Sequence, residues 1–304
     1  MHGMYPKALL TSALCLMLVA QAAKAIIINE NTFVAQGGNL GDVAGSINYA
    51  NDVLREQSFS SPYLAVGTIS SGCSATWIGD DDEGWSYILT AAHCLLPNLG
   101  KENHINRINP INTTFRAWNG DVIAAGAGTA YLPKLYVKST FLAMGSSSAN
   151  IALLKLPTRD IIVDQQGMPI TPPVLYDGSD ERQRTVHFVG YGAWGVGTAY
   201  NDKNGPATGP RRLYGESFIE RVYEPDRRLK AGYVPKGKTI QWARLADRDM
   251  GSAWWQTHQG TKVIVAISND WDLLSSTGAR VSKHIPWLTA HFPGLRLFSD
   301  LSSN

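Results

Sequence analysis

The stretch TAAHC (90–94) closes a strand-like run that begins at Trp85. A second strand-like run, SPYLAVGTISSGCSATWIG (61–79), lies just upstream, and its alternation of apolar and polar residues is typical of a β-strand with one buried face. The acidic turn DDDEG (80–84) separates the two runs. We interpret this turn as a solvated hairpin tip, because it lacks the ligand spacing of a calcium loop. The stretch therefore predicts a β-hairpin that ends in a histidine followed by a cysteine.

Similar runs continue along the chain and favour an all-β fold. The 304-residue chain has 44% hydrophobic and 17% charged residues, as globular proteins do. Its 29 glycines and its short β-branched or aromatic runs favour a β-sandwich or a barrel over a helical fold. Short helices fit residues 47–57 and 282–292, the latter with Pro286 in its first turn. Further strands are predicted at 114–118, 121–132, 151–156, 185–191, 213–222, 239–246 and 262–268.

The first 25 residues have the pattern of a secretory signal peptide. An apolar run, ALLTSALCLMLVA (8–20), follows a lysine, and Ala23 and Ala25 form a small-x-small cleavage site. The run is shorter than the roughly 20 residues that a membrane-spanning helix needs. We expect a secreted or periplasmic mature chain that begins near Ile26 and has no transmembrane segment.

Cleavage at this site would leave a mature chain close to neutral. It removes Lys7 and Lys24, so that 27 basic residues become 25, against 25 acidic residues. This balance gives no indication of nucleic acid or of an anionic membrane as a partner. Cleavage also removes Cys15 and leaves Cys73 and Cys94, which in an exported chain most simply form one disulfide.

Several short motifs, each weak alone, occur in an informative order along the chain. Asn150 lies 57 residues beyond His93, and Met250 lies 100 residues further on. In this order the motifs resemble the trypsin/chymotrypsin family of serine peptidases, over roughly residues 60–292. The motifs that carry the resemblance are SGCSATWI (71–78), TAAHC (90–94), ANIALLKL (149–156), VGYG (189–192), DMGSAW (249–254) and ARVSKHIPWL (279–288).

The resemblance implies an all-β fold of two six-stranded antiparallel β-barrels, with a cleft between them and a C-terminal helix. It also implies that Cys73 and Cys94 form the disulfide beside the catalytic histidine. We accordingly divide the chain into a signal peptide (1–25), an N-terminal segment (26–60), a first barrel (61–157), a second barrel with the C-terminal helix (158–292) and a tail (293–304).

Of the three catalytic residues of the family, this sequence keeps one. His93 matches the general base, whereas Asn150 occupies the position of the acid and Met250 that of the serine nucleophile. Asp249 and Gly251 still match on either side of Met250, so the alignment has little room to slide. The family's chemistry needs a hydroxyl nucleophile, a histidine base and a carboxylate that orients the histidine. A thioether has no proton to give and forms no acyl intermediate.

Two arginines are further departures from the family's pattern. Arg248 replaces a glycine whose backbone N–H forms part of the oxyanion hole, and Arg244 lies at the base of the primary specificity pocket. Arg244 either accepts an acidic side chain or fills the pocket. Activation in the family uses a new N-terminus that pairs with the aspartate before the serine, here Asp249. DVAGS (42–46) is a loose candidate for that donor.

We therefore expect a non-catalytic, monomeric module that holds a peptide or protein in the cleft between the barrels. We expect no cofactor, and no metal, because neither a His-x-x-x-His motif nor a Cys/His cluster is present. Nucleic acid and membrane are not expected as partners. The alternative is an active serine endopeptidase, in which Ser252 serves as a displaced nucleophile or the chain is a substituted copy of an active enzyme.

Two aromatic segments leave alternatives open. The segment 211–238 contains eight basic and four acidic residues, and we interpret it as strands and loops with solvated edges rather than as a site for an acidic partner. The run AWW (253–255) either forms an exposed aromatic patch or buries at least one tryptophan between the barrels. We expect the second arrangement.

Overall fold

The computed structural model describes residues 26–98, 106–133, 149–198, 212–223 and 227–301. The predicted signal peptide lies outside this part of the chain. Strands predominate within it, as the sequence predicts. None of the helices in the described ranges combines the length and apolar character that crossing a membrane requires.

The first barrel is closed, six-stranded and antiparallel, in the order β2-β3-β4-β7-β6-β5. The β3–β4 hairpin is the one predicted around the acidic turn. Asp81 holds that turn, because its Oδ1 accepts hydrogen bonds from the backbone N–H groups of Glu83 and Trp85. The strands are β2 (Val66–Ile69), β3 (Ser74–Asp80), β4 (Trp85–Thr90), β5 (Arg107–Arg116), β6 (Val122–Tyr131) and β7 (Ala152–Pro157).

The second barrel closes when β14 pairs with both β9 and β15, in the order β14-β9-β11-β12-β16-β15. Two short parallel strands, β8 and β17, extend it beyond β15. The prediction of two six-stranded antiparallel barrels is thereby confirmed. The strands are β8 (Val174–Leu175), β9 (Thr185–Gly190), β11 (Leu213–Tyr223), β12 (Arg228–Gly232), β14 (Ala253–His258), β15 (Thr261–Asp272), β16 (Ser275–Arg280) and β17 (Arg296–Leu297).

The N-terminal segment adds a small sheet and two helices to this side of the molecule. Strand β1 (Ile27–Ile28) lies between β10 (Gly195–Val196) and β13 (Ala243–Arg244). Helix α1 (Glu30–Ala35) follows it, and α2 (Val43–Ser58) packs against β11. The chain closes with α3 (Ile285–His291), which contains the predicted early proline, and α4 (Phe298–Leu301).

The structure corrects the sequence prediction at several strands. The predicted strand at 239–246 is wrong except for Ala243–Arg244, because the backbone of this segment bonds to the N-terminal segment: Trp242 O accepts from Asn29 N at 2.7 Å. Strands β12, β14 and β16 were not predicted. In β14 both tryptophans are fully buried, which confirms their expected burial but removes the alternation that marks a half-exposed strand.

Arg212 anchors the chain that enters the first barrel to the second barrel. Its guanidinium, 3% exposed as a residue, donates hydrogen bonds to the carbonyl oxygens of Ser58, Tyr63 and Val66 and to the hydroxyl of Tyr191. Five N–H donors in a fixed plane make arginine suited to bridging several carbonyls at once. One buried cation therefore supplies several of the hydrogen bonds at this junction.

We predict that Arg212→Leu lowers the free energy of unfolding by about 3–5 kcal/mol, since it leaves several buried carbonyls without a donor. The measurement is urea unfolding followed by tryptophan fluorescence. Arg159→Leu is the matched control: this exposed arginine donates one hydrogen bond, to Ala125 O, and its loss should cost about 1 kcal/mol or less. Equal losses in the two variants would contradict the role given to Arg212.

Candidate functional site

His93 and Met250 come from different barrels and meet beside one sulfur atom. His93 lies just after β4, in the short 3-10 helix Ala92–Asn98. Cys73 and Cys94 form the disulfide that the family resemblance implies, which ties this helix to the start of β3. Cys94 Sγ lies 3.9 Å from His93 Nε2 and 3.7 Å from Met250 O. The two positions that the family uses for base and nucleophile are thus close together.

Asn150 occupies the place from which an acid would orient His93. Its Oδ1 accepts the backbone N–H of His93 at 3.0 Å and lies 3.1 Å from His93 Nδ1. Its Nδ2 lies 2.8 Å from the same ring nitrogen. The amide can therefore hold either neutral tautomer of the ring, but it supplies no negative charge to an imidazolium.

The surroundings of His93 favour the neutral ring. Burial lowers the pKa of His93, and the hydrogen bond from Asn150 offsets only part of this effect. His93 is therefore uncharged at neutral pH, as a general base would be. It faces no hydroxyl nucleophile at position 250, where the side chain is a thioether and the residue is 7% exposed.

The turn that carries Met250 is fitted tightly against the first barrel. Gly251 has a φ of +89°, and a Cβ atom there would lie 2.2 Å from Ser74 O and 2.3 Å from Thr90 Oγ1. Only glycine combines this backbone conformation with this close approach. The carbonyl of Arg248 accepts hydrogen bonds from both the backbone N–H and the hydroxyl of Ser74, each at 3.0 Å.

Arg248 adopts a conformation that favours glycine. Its φ is +71°, in the left-handed region that a side chain other than glycine enters at a cost. The sequence predicted a departure from the family at this position. The structure shows that the arginine accepts the unfavourable conformation and keeps its carbonyl bound to the first barrel.

Ser252 is packed inside the second barrel. It is fully buried, and its hydroxyl lies 2.8 Å from the hydroxyl of Ser268 on β15. Its backbone N–H donates to Asp249 O at 3.0 Å, which closes the turn. A hydroxyl in this environment is packed into the second barrel and is inaccessible to a peptide in the cleft.

Arg244, at the position that the resemblance assigns to the primary specificity pocket, is packed inside the second barrel. Its side chain is fully buried, and its guanidinium carbon lies 4.7 Å from the centre of the Trp271 ring and 5.6 Å from that of Tyr233. Its Nη1 also donates to Leu245 O at 3.0 Å. The guanidinium is thus surrounded by protein atoms, and the two predicted roles of Arg244 stay predictions.

Asp249 is a fully buried carboxylate with three backbone donors. Its Oδ1 accepts the N–H of Gly192 at 2.7 Å, and its Oδ2 accepts those of Ala246 at 2.9 Å and Ile26 at 3.1 Å. A Cβ atom at Gly192 would lie 2.5 Å from the carboxyl carbon, so the glycines of VGYG make room for this group. Burial raises the pKa of Asp249 to about 7, although the three N–H donors lower it.

DVAGS (42–46), the loose candidate for the donor, lies at the start of helix α2 in the uncleaved chain. Asp42 caps helix α2 by accepting the N–H of Gly45 at 3.0 Å, and Val43 begins that helix. Ile26, at the expected start of the mature chain, occupies the site instead. The sequence predicted that the mature chain begins near Ile26 and that Asp249 accepts an N-terminus. It did not predict that Ile26 is the residue that pairs with Asp249. The available signal was a run of three isoleucines, 26–28, directly after the predicted cleavage site.

A possible metal site in this region is explained by the disulfide. The ligand atoms of Cys73, His93 and Cys94 lie within 4.8 Å of one another, the one such group of three within the described ranges. Both sulfur atoms belong to the disulfide, however, and are not thiolates that could bind an ion.

We predict different pH dependences for a chain that begins at Ile26 and for a chain that is extended before it. In a chain extended before Ile26, the folded-state pKa of Asp249, about 7, lies above its unfolded value. Stability from this group is then fully present below pH ~4 and is lost as the pH rises through 7. A chain that starts at Ile26 places its terminal ammonium about 3.1 Å from Asp249 Oδ2. This charge lowers the pKa of Asp249, so the stability of that chain should stay constant from pH 5 to 7.5.

The measurement is the melting temperature of both chains across that pH range. Asp249→Asn in the chain that starts at Ile26 is the control, and it should cost about 3–5 kcal/mol because it leaves a buried ammonium without a counter-charge. Identical pH profiles for the two chains would contradict the pairing.

We also predict that Asn150→Asp raises the pKa of His93. The substitution places a carboxylate beside Nδ1, where an opposite charge stabilises the protonated ring. NMR titration of the His93 ring protons measures the change, with Asn119→Asp on an exposed turn as the control. An unchanged His93 pKa would show that the ring does not contact residue 150 in solution.

No model of a known protein family matches the sequence, and no curated protein matches it either.

Proposed function

We propose that the protein is a secreted, catalytically inactive relative of the trypsin-like serine peptidases, which binds a peptide or protein segment in the cleft between its barrels. One observation carries the proposal. The residue beside His93 and the first-barrel disulfide, at the position that a nucleophile would occupy, is a methionine.

The other departures support loss of the reaction. Loss of the orienting charge in such a triad costs about 10⁴ in kcat, and loss of its nucleophile about 10⁶. Asn150 cannot supply the orienting charge, and Met250 cannot supply a hydroxyl nucleophile. Ser252, the candidate replacement, is buried against Ser268. An active endopeptidase is therefore the less favoured alternative.

Binding is supported by the place where the pairing between β14 and β15 ends. Strand β15 pairs with β14 only as far as Ile267, whereas its pairing with β16 continues to Asp272. Beyond Ile267, the edge of β15 that faces away from β16 is no longer paired with β14. An extended peptide adds to an edge of this kind through main-chain hydrogen bonds. Because the guanidinium of Arg244 is buried against the Trp271 ring, we expect recognition to depend more on the backbone than on one deeply buried side chain.

The decisive experiment is intact-mass spectrometry after exposure to a fluorophosphonate, beside a His93→Ala control. The proposal expects no adduct and no cleavage of a broad peptide library, since no hydroxyl faces His93. A stoichiometric adduct that the control loses would overturn the proposal in favour of a serine peptidase.

A repaired variant makes a negative result informative. The triple variant Met250→Ser, Asn150→Asp, Arg248→Gly restores the hydroxyl, the charge and the glycine, and should acquire an adduct at position 250. Failure of the repaired variant, when its melting temperature matches that of the wild type, would contradict the alignment of the site.

Binding itself is tested with peptides selected from a random display library. Hydrogen exchange should show that a bound peptide slows exchange of the amides at residues 269–272. Protection elsewhere, with no change at this edge, would place the interaction outside the cleft.

A further inference from the structure

A cavity of about 440 Å³ lies away from His93, between the N-terminal helices and the second barrel. This volume falls within the range of sites that take small ligands. Its walls come from α1, α2, β11 and the segment 237–242. The lining residues are Asn31, Thr32, Ala35, Gln36, Leu54, Gln57, Tyr214, Glu216, Gly237, Lys238, Thr239 and Trp242.

One carboxylate lines this cavity, and it has spare acceptor capacity. The Glu216 side chain is 26% exposed. Its Oε2 accepts the Tyr214 hydroxyl at 3.3 Å, and no described residue donates a hydrogen bond to Oε1. A carboxylate accepts up to four hydrogen bonds, so Glu216 can bind a donor from a ligand. Tyr214 and Glu216 are two residues apart on β11, which places both side chains on the same face of the strand.

Two aromatic rings stand beside this carboxylate. The ring centres of Tyr214 and Trp242 are 6.2 Å apart, with an angle of 47° between their planes. Aromatic faces attract cations through the ring quadrupole, and tryptophan and tyrosine do so best. A carboxylate with two such rings is the chemistry that recognises an ammonium or guanidinium group.

The other charged groups near the cavity do not cancel its attraction for an ammonium or guanidinium group. Burial lowers the pKa of His187, next to Tyr214, to about 4, so this ring is neutral at pH 7. Lys262 is directed to the Tyr63 hydroxyl, at 3.0 Å, and does not line the cavity. Lys238 does line it but is exposed, so water and salt screen its charge.

Burial also raises the pKa of Glu216, while the Tyr214 hydrogen bond and the charge of Lys262 lower it. A bound cation would compensate for the lost hydration of this carboxylate.

We propose that this cavity binds a small organic cation with a primary ammonium or guanidinium group, which Glu216 Oε1 holds against the rings of Tyr214 and Trp242. The hydroxyls and amides on the opposite wall, from Thr32, Gln36 and Gln57, supply donors and acceptors for the rest of the ligand. This cavity is separate from the region between the barrels. The proposal of a cation site therefore does not depend on the peptide-binding function proposed above.

Occupation of the cavity stabilises the N-terminal segment against the second barrel. Asn29 Nδ2 donates to Gly237 O at 2.8 Å, and Gly237 N donates to Asn31 Oδ1 at 2.6 Å. The segment 237–242 that forms one wall is therefore bonded to the residues that directly follow Ile26. A ligand that bridges the walls strengthens this junction.

The test is a titration of the intact protein with butylammonium, followed by the NMR shift of the Trp242 indole N–H, which a Trp242→Phe spectrum assigns. We expect saturable binding and a higher melting temperature, with no comparable effect from the uncharged 1-pentanol or the anion pentanoate. Glu216→Gln should weaken binding by roughly 10- to 100-fold, because it removes a charge-assisted hydrogen bond.

Two further variants keep the result interpretable. Glu220→Gln changes an exposed carboxylate on the same strand and should leave the affinity unchanged. Ala35→Trp fills the cavity without altering charge and should abolish binding even if Glu216→Gln is poorly folded. Equal binding of 1-pentanol or pentanoate, unchanged affinity in Glu216→Gln, or no saturable shift with butylammonium would each overturn the proposal.

Discussion

The candidate site depends on the hydrogen bonds that surround the buried carboxylate of Asp249. It receives backbone N–H groups from three separate parts of the chain: Ile26 at the N-terminal segment, Gly192 after β9 and Ala246 after β13. Burying a carboxylate is costly unless donors or an opposite charge surround it. The turn that carries Met250 therefore has its geometry only when these three segments are assembled around Asp249.

This dependence explains how the site keeps its shape without its chemistry. Asn150 reproduces the hydrogen bonds that an aspartate would make to the backbone and ring of His93, but not the charge. Met250 stands at the position proposed for the nucleophile, and the guanidinium of Arg244 is buried against the Trp271 ring. The position of His93 is thus held by hydrogen bonds, while residue 150 supplies no charge and residue 250 no hydroxyl.

The N-terminal helices give the molecule a second concave surface with different chemistry. The binding proposed between the barrels relies on the edge of β15 where its pairing with β14 ends, whereas the cavity beneath α1 and α2 offers a carboxylate and aromatic rings. The two are linked through one short stretch of chain. Residues 26–31 bind Asp249 at one end and the cavity wall at Gly237 at the other.

By itself the sequence determined the β-hairpin at TAAHC, the predominance of strands and the cysteine pair, through local periodicity and short motifs. The two six-stranded barrels were predicted only through the resemblance that those motifs carry, and burial was expected for at least one of Trp254 and Trp255. Tertiary structure alone decided the partner of Asp249, the pairing of β14 that closes the second barrel and the burial of Arg244. Each of these depends on contacts between residues far apart in the chain, such as the 223 positions that separate Ile26 from Asp249. A short stretch of sequence does not show such contacts. In β14 both faces are buried, so the alternation of apolar and polar residues that marks a strand is absent. The groups that surround a buried charge are known only once the core is assembled.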